Sequence, residues 1–162
     1  MKHRITLVNP HNLPPDPHFE PPMAIVWAIT ETNCPEARDK TCLQYTVVPP
    51  GKRMQRHYHK GCDAVICFIK GSFKVILGEE AEEVPVALHT FVYIPRGEIH
   101  AYANMDAKEE AEEIACYIGA SSKEASGTTF IEDENFQEIP TAREEWRKWR
   151  EGLSSTPAID KL

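Results

Sequence analysis

Residues 51–71 read GKRMQRHYHKGCDAVICFIKG, and the pair His57 and His59 decides how the rest of the chain is read. Alternate residues of an extended strand project to the same side. If this segment is a strand, both imidazoles look into one space. The pair follows a Pro-Pro-Gly turn at 49–51 and precedes an apolar run from Ala64.

The flanking sequence supports the strand. From Cys42 onward, short β-prone runs alternate with turn signals: CLQYTVV, RMQRHYH, AVICFIK, FKVIL, VPVAL, FVYI, IHAYAN and IACYIG. Strands recurring every eight to twelve residues with Gly and Pro between them predict an antiparallel sandwich or barrel. MAIVWAIT, 23–30, reads as a buried strand, and Ile5–Val8 as a short one. Residues 9–22 contain six prolines. Proline lacks the amide donor, so 1–22 reads as an extended arm rather than sheet interior. Helical periodicity is confined to TAREEWRKWREG, 141–152, with Thr141 and Glu144 spaced as in a capping box. Trp146, Trp149 and Leu153 share one face, which docks the helix on the barrel or on a partner subunit. SSTPAIDKL reads as a frayed tail. The expected organisation is a single domain over 1–162, with a barrel at 23–120 and a C-terminal extension at 121–162.

Composition narrows the function classes. The 162 residues carry a net charge of −7, which argues against nucleic acid or an anionic membrane as partner. The acidic stretches Glu79–Glu83 and Asp106–Glu113 read as solvated loop charge. No apolar run approaches a membrane span, and the N-terminus does not read as a signal peptide. Five cysteines, with no C-x-x-C pair, predict reduced thiols in a cytoplasmic protein. Cys62, three residues after His59, is either a soft ligand or a small buried hydrophobe.

Two motifs then carry a family resemblance. Gly51, His57, His59 and Gly71 match G-x5-H-x-H-x3/4-E-x6-G, and Pro95, Gly97, His100 and Asn104 match G-x5-P-x-G-x2-H-x3-N. The chain resembles the cupins over roughly Met23–Gly119. The resemblance implies an all-β double-stranded β-helix, or jelly-roll barrel, with the proline-rich arm and C-terminal helix as additions. It implies a homodimer in which the N-terminal arm pairs with the neighbouring subunit. The alternative is an arm folded over its own barrel. It also implies a divalent transition metal on His57, His59 and His100, iron being favoured and zinc, manganese or nickel the others. Three neutral imidazoles suit such an ion.

The chain departs from the family pattern twice. Ala64 stands where the motif has its glutamate, so the fourth ligand is either the adjacent Asp63 or an open position. His89 replaces the opening glycine of the second motif. Strand parity places Arg53 and Gln55 beside His57 and His59 and Tyr102 beside His100, and the family register implies that Ala64, Ile66 and Phe68 face inward too. Arg53 is a candidate carboxylate holder, and Gln55 and Tyr102 are candidate catalytic contacts. No glutamate falls on the inward positions that parity assigns. Three functions follow from the resemblance. One is a metal-dependent dioxygenase acting on a small organic acid, thiol or diketone. The second is a non-redox isomerase, lyase or decarboxylase of sugars or carboxylic acids. The third is a small-molecule binding protein without turnover.

Overall fold

Ten strands pair into two antiparallel sheets in the computed structural model, which describes residues 6–17 and 23–154. The first sheet has the order β1 (Ala24–Ile29), β2 (Thr41–Val48), β9 (Ala111–Ile118), β4 (Asp63–Lys70), β7 (Phe91–Ile94). The second has the order β10 (Thr128–Phe130), β3 (His57–His59), β8 (His100–Asn104), β5 (Phe73–Leu77), β6 (Glu82–Val86). Apart from the consecutive pairs β1–β2 and β5–β6, neighbours in each sheet are distant in sequence, and the two sheets close on a shared core as a jelly-roll barrel. Alternating burial on β4 and β9 turns Ala64, Ile66 and Phe68, and Ala111, Glu113, Ala115 and Tyr117, inward. Phe68 and Phe73 pack with ring centroids 4.4 Å apart near the centre of that core.

The motif residues that bind no ligand build the turns. Gly71 has φ +88°, and a Cβ there would lie 2.5 Å from the Ala111 side chain. Gly97 has φ +86°, and a Cβ would meet the Trp149 ring at 2.5 Å. Asn104 donates from Nδ2 to the carbonyls of Val48, Pro49 and Glu109, so one buried amide ties together the loops at that end of the barrel. His89 adopts φ +65° and is exposed, taking the left-handed position that the motif gives to glycine.

Several expectations are revised. Residues 6–8 carry no strand; 18–22 and 155–162, including most of the expected frayed tail, lie outside the described residues. Within the arm, Asp16 accepts from Trp27 Nε1 at 2.9 Å and pairs with Lys123 at 3.0 Å. The segment expected as a C-terminal extension supplies β10 to the second sheet. Helix α2 spans Pro140–Ser154, beginning at a proline, whose fixed φ and missing N–H suit a first turn. Trp146 donates to the Gly97 carbonyl at 2.8 Å and, with Trp149 against Tyr58, seals the outer face of β3. Leu153, expected on the same docking face, is exposed. No helix among the described residues is long and apolar enough to cross a membrane, and the five cysteines are free thiols.

A buried charge cluster ties the segment after β10 to the barrel. Glu132 accepts from Arg53 Nη1 at 2.9 Å, Arg56 Nε at 2.7 Å and the Arg56 amide at 2.9 Å. Burial pushes its carboxyl up, but these bonds outweigh burial and hold it below the usual range. Because Arg56 is itself buried, Glu132→Ala strands a cation and should cost about 3 kcal/mol. A depressed carboxyl stabilises above its unfolded value, about 4.3, and loses that contribution as pH falls through the folded value. Urea unfolding should show the full gap between wild type and variant at pH 7 and a narrower gap at pH 3.

Candidate metal centre

β3 and β8 pair at His57 and His100, and this single register contact assembles the centre. His59 joins from the same face of β3. The ring centroids of the three imidazoles lie 4.4–5.1 Å apart. One ring nitrogen from each falls within 4.8 Å of the others, and all three residues are buried. The spacing suits one small cation on three neutral imidazoles.

Hydrogen bonds outside the cluster set each tautomer. His57 Nδ1 lies 2.9 Å from the Gln55 carbonyl and His100 Nδ1 lies 2.9 Å from the Glu98 carbonyl. A carbonyl only accepts, so both nitrogens carry the proton and both Nε2 lone pairs are available. For His59 the direction follows from a relay. Ser126 Oγ donates to the Lys123 carbonyl at 2.6 Å. Its contact with Thr128 Oγ1, at 2.9 Å, must then be donated by Thr128. Thr128 therefore accepts from His59 Nδ1–H, also at 2.9 Å. His59 Nε2 is buried and has no hydrogen-bond partner. An orphaned, inward-facing lone pair is what a ligand nitrogen presents, so the donor set fits a divalent metal ion.

Burial keeps the three groups neutral. It pushes His57 down to about 4 and His100 to about 3; His59 is lowered by burial and by its two imidazole neighbours. No protons need be displaced from them near neutral pH. The rings of His57 and His59 border a small cavity of about 10 Å³, room for an ion or one water, whose wall includes Trp27, Gln44, Met54, Tyr117, Thr128 and Phe130.

The other expected site residues divide. Ala64, Ile66 and Phe68 face inward but fill the core rather than the cavity wall. The expectation of Asp63 as a ligand does not hold in this geometry. As the first residue of β4 it accepts from Tyr93 Oη at 2.7 Å and the Arg96 amide at 2.8 Å, outside the histidine cluster. The inward placement of Arg53 and Gln55 also fails. β3 is only three residues long, so strand parity does not extend back to them, and Met54 takes the cavity wall instead. Arg53 bonds Glu132 and stacks 4.1 Å over Phe136, while Gln55 donates to the Glu132 carbonyl. Tyr102 is buried, and its hydroxyl donates to Glu113 at 3.0 Å. Cys62 is buried with its thiol pushed up to about 12 by burial, which suits packing and disfavours a thiolate ligand.

Sequence reasoning missed Gln44, Tyr117 and Glu113. Tyr117 donates to Gln44 Oε1 at 2.9 Å, and Gln44 Nε2 donates to Glu113 Oε1 at 3.2 Å. Parity along CLQYTVV marks Gln44. Glu113 belonged to an acidic stretch read as loop, yet β9 begins at Ala111 and Glu113 is 0% exposed. Reading the alternation two residues further upstream would have found it.

A Cupin domain family model matches residues 44–116. The polyketide cyclase RemF from Streptomyces resistomycificus superposes with a TM-score of 0.63 at 17% identity, covering 82% of this chain and 89% of that one. A predicted oxalate decarboxylase from Thermotoga maritima gives 0.59 at 15% identity, covering 70% and 98%. An oxalate oxidase in complex with glycolate gives 0.58 at 19%, covering 89% and 77%. At these identities the likeness is one of fold. A sequence search of curated proteins finds no match.

The relay gives a test of the centre. Thr128→Val removes the acceptor that fixes the His59 tautomer and should weaken Zn²⁺ or Co²⁺ binding tenfold to a hundredfold in competition titrations. Thr128→Ser should keep most of the affinity.

Proposed function

We propose that this chain, which a Cupin domain family model matches over residues 44–116, is a cupin and a divalent-metal enzyme of the non-haem dioxygenase type, acting on a small organic acid, thiol or diketone. The observation that carries the reading is the charge of the ligand set: three buried, neutral imidazoles and no carboxylate among them. An ion held there keeps its full positive charge and favours an anionic, chelating substrate. When bound, iron would supply Lewis-acid polarisation and the electron chemistry of dioxygen; zinc, manganese or nickel would take the same ligands. The protein's own contribution is to hold three lone pairs in fixed tautomers and to keep bulk water out. Trp27, Met54 and Phe130 provide apolar walls, and Gln44 and Tyr117 provide fixed dipoles to orient a bound acid. The names of two fold relatives, an oxalate oxidase with glycolate and a predicted oxalate decarboxylase, concern small acids of this kind.

β10 contributes Thr128 and Phe130 to the cavity wall and pairs with β3 alone at the edge of its sheet. A non-redox lyase or decarboxylase is the second reading. Glu113 favours it, because a buried carboxyl poised at about 7 suits acid–base work. Solvent exposure of Phe91, Tyr93 and Ile118 on the outer face of the first sheet accords with a homodimer.

Elemental analysis of protein purified without added metal, beside His57→Ala, separates these readings. About one iron per chain, lost in the variant, with oxygen uptake on small acids, thiols or diketones, supports the dioxygenase. Turnover of a carboxylic acid under anaerobic conditions transfers support to the lyase. Absence of metal uptake on reconstitution overturns both.

A further inference from the structure

Two glutamates lie fully inside the protein. Glu132 is paired with Arg53 and Arg56; Glu113 faces no cation among the described residues. Its Oε1 accepts from Tyr102 Oη at 3.0 Å and Gln44 Nε2 at 3.2 Å, and its Oε2 is buried without a partner. Both bonded neighbours lead towards the histidine centre. Gln44 lines the same cavity as His57 and His59. Tyr102 follows His100 by two residues on β8. Glu113 is thus joined to the centre through two side chains, Gln44 on the cavity wall and Tyr102 one strand repeat along β8 from His100.

A divalent ion on three neutral ligands is a buried double positive charge, and a bound cation dominates the ionisation of groups around it. We propose that Glu113 is the charge-balancing acid of the three-histidine centre: it holds a proton in the metal-free protein and releases it to solvent when the cation binds, the O–H electron pair remaining on the carboxylate. The inference rests on the metal-centre reading above. It assigns the compensating charge to a different strand from the position of Ala64, where the family motif has its ligand glutamate.

The surroundings leave Glu113 free to serve. Burial pushes its carboxyl up to about 7 against hydrogen bonds from Tyr102 and Gln44. β8 presents Tyr102 to it and β9 presents Tyr117, and both phenols are raised well above their usual range, so they stay neutral. β2 contributes uncharged Gln44 and Thr46, with the Cys42 thiol, pushed up to about 12, in the neighbouring row. β4 places Phe68 opposite. Beyond Tyr102 and Gln44 stand the three neutral imidazoles.

The test is Co²⁺ affinity of the full, metal-depleted chain, measured by competition from pH 5.5 to 8.5, for wild type and Glu113→Gln. Wild-type affinity should rise about tenfold per pH unit up to about pH 7 and then level off, while the variant stays flat over that range. A flat wild-type profile, or the same rise in the variant, overturns the role of Glu113 and leaves the metal centre standing. Failure of wild type to bind Co²⁺ at any pH overturns the metal-centre reading, and this inference with it. Proton release in weak buffer needs no variant. About one proton per Co²⁺ at pH 6, falling towards zero at pH 8, is expected. A count that instead rises with pH marks ionisation of a cation-bound water and overturns the assignment, since a purely structural Glu113 leaves the count untouched.

Discussion

The pairing of His57 with His100 across β3 and β8 is the contact on which the rest of the site depends. It brings nitrogen donors from segments more than forty residues apart into one cluster. The barrel exists around that contact as a set of constraints on register. Gly71 and Gly97 turn where a side chain would collide, Asn104 ties three carbonyls, and Trp146 fixes the Pro95–Gly97 turn from outside. A one-residue slip of β3 would send both imidazoles to the outer face and bring Tyr58 inward.

Burial of three imidazoles without a counter-charge gives the centre its chemical character. Desolvation holds them neutral, and bonds from Nδ1 to two carbonyls and one threonine leave each Nε2 free. The threonine belongs to β10, so a segment far outside the two motifs sets the tautomer of a motif histidine. The same segment carries Phe130 over His57 and leads into Glu132, which clamps Arg53 and Arg56. Centre and covering strand are thus held by one continuous stretch, 126–132. Its polar contacts are satisfied internally, with Ser126 and Glu132 almost wholly buried.

Arg53, Gln55 and Glu113 show where one-dimensional reasoning fails. Parity is valid only while a strand remains regular, and β3 is regular for three residues, so projecting inward positions back to Arg53 and Gln55 misplaced both. Glu113 was hidden for the opposite reason. Its strand begins earlier than its composition suggests, because a run of acidic residues looks solvated until cross-strand pairing with Thr46 and Phe68 pulls one of them inside. Asp63 was placed beside the site by sequence distance, yet its carboxylate is consumed by Tyr93 and Arg96 across the sheet.

By itself, the sequence determined the fold class, the three histidines and their shared face, since these depend on alternation, turn residues and fixed spacing. The C-terminal helix was legible for the same reason, through its tryptophan stripe. Tertiary structure alone decided the partners of each polar group: Thr128 on His59, Glu132 on two arginines, Tyr117 on Gln44, and Tyr102 and Gln44 on Glu113. Those contacts join residues 11 to 79 positions apart through strand pairing and loop closure. Their identity follows from the register of distant strands, which no local pattern in the chain encodes.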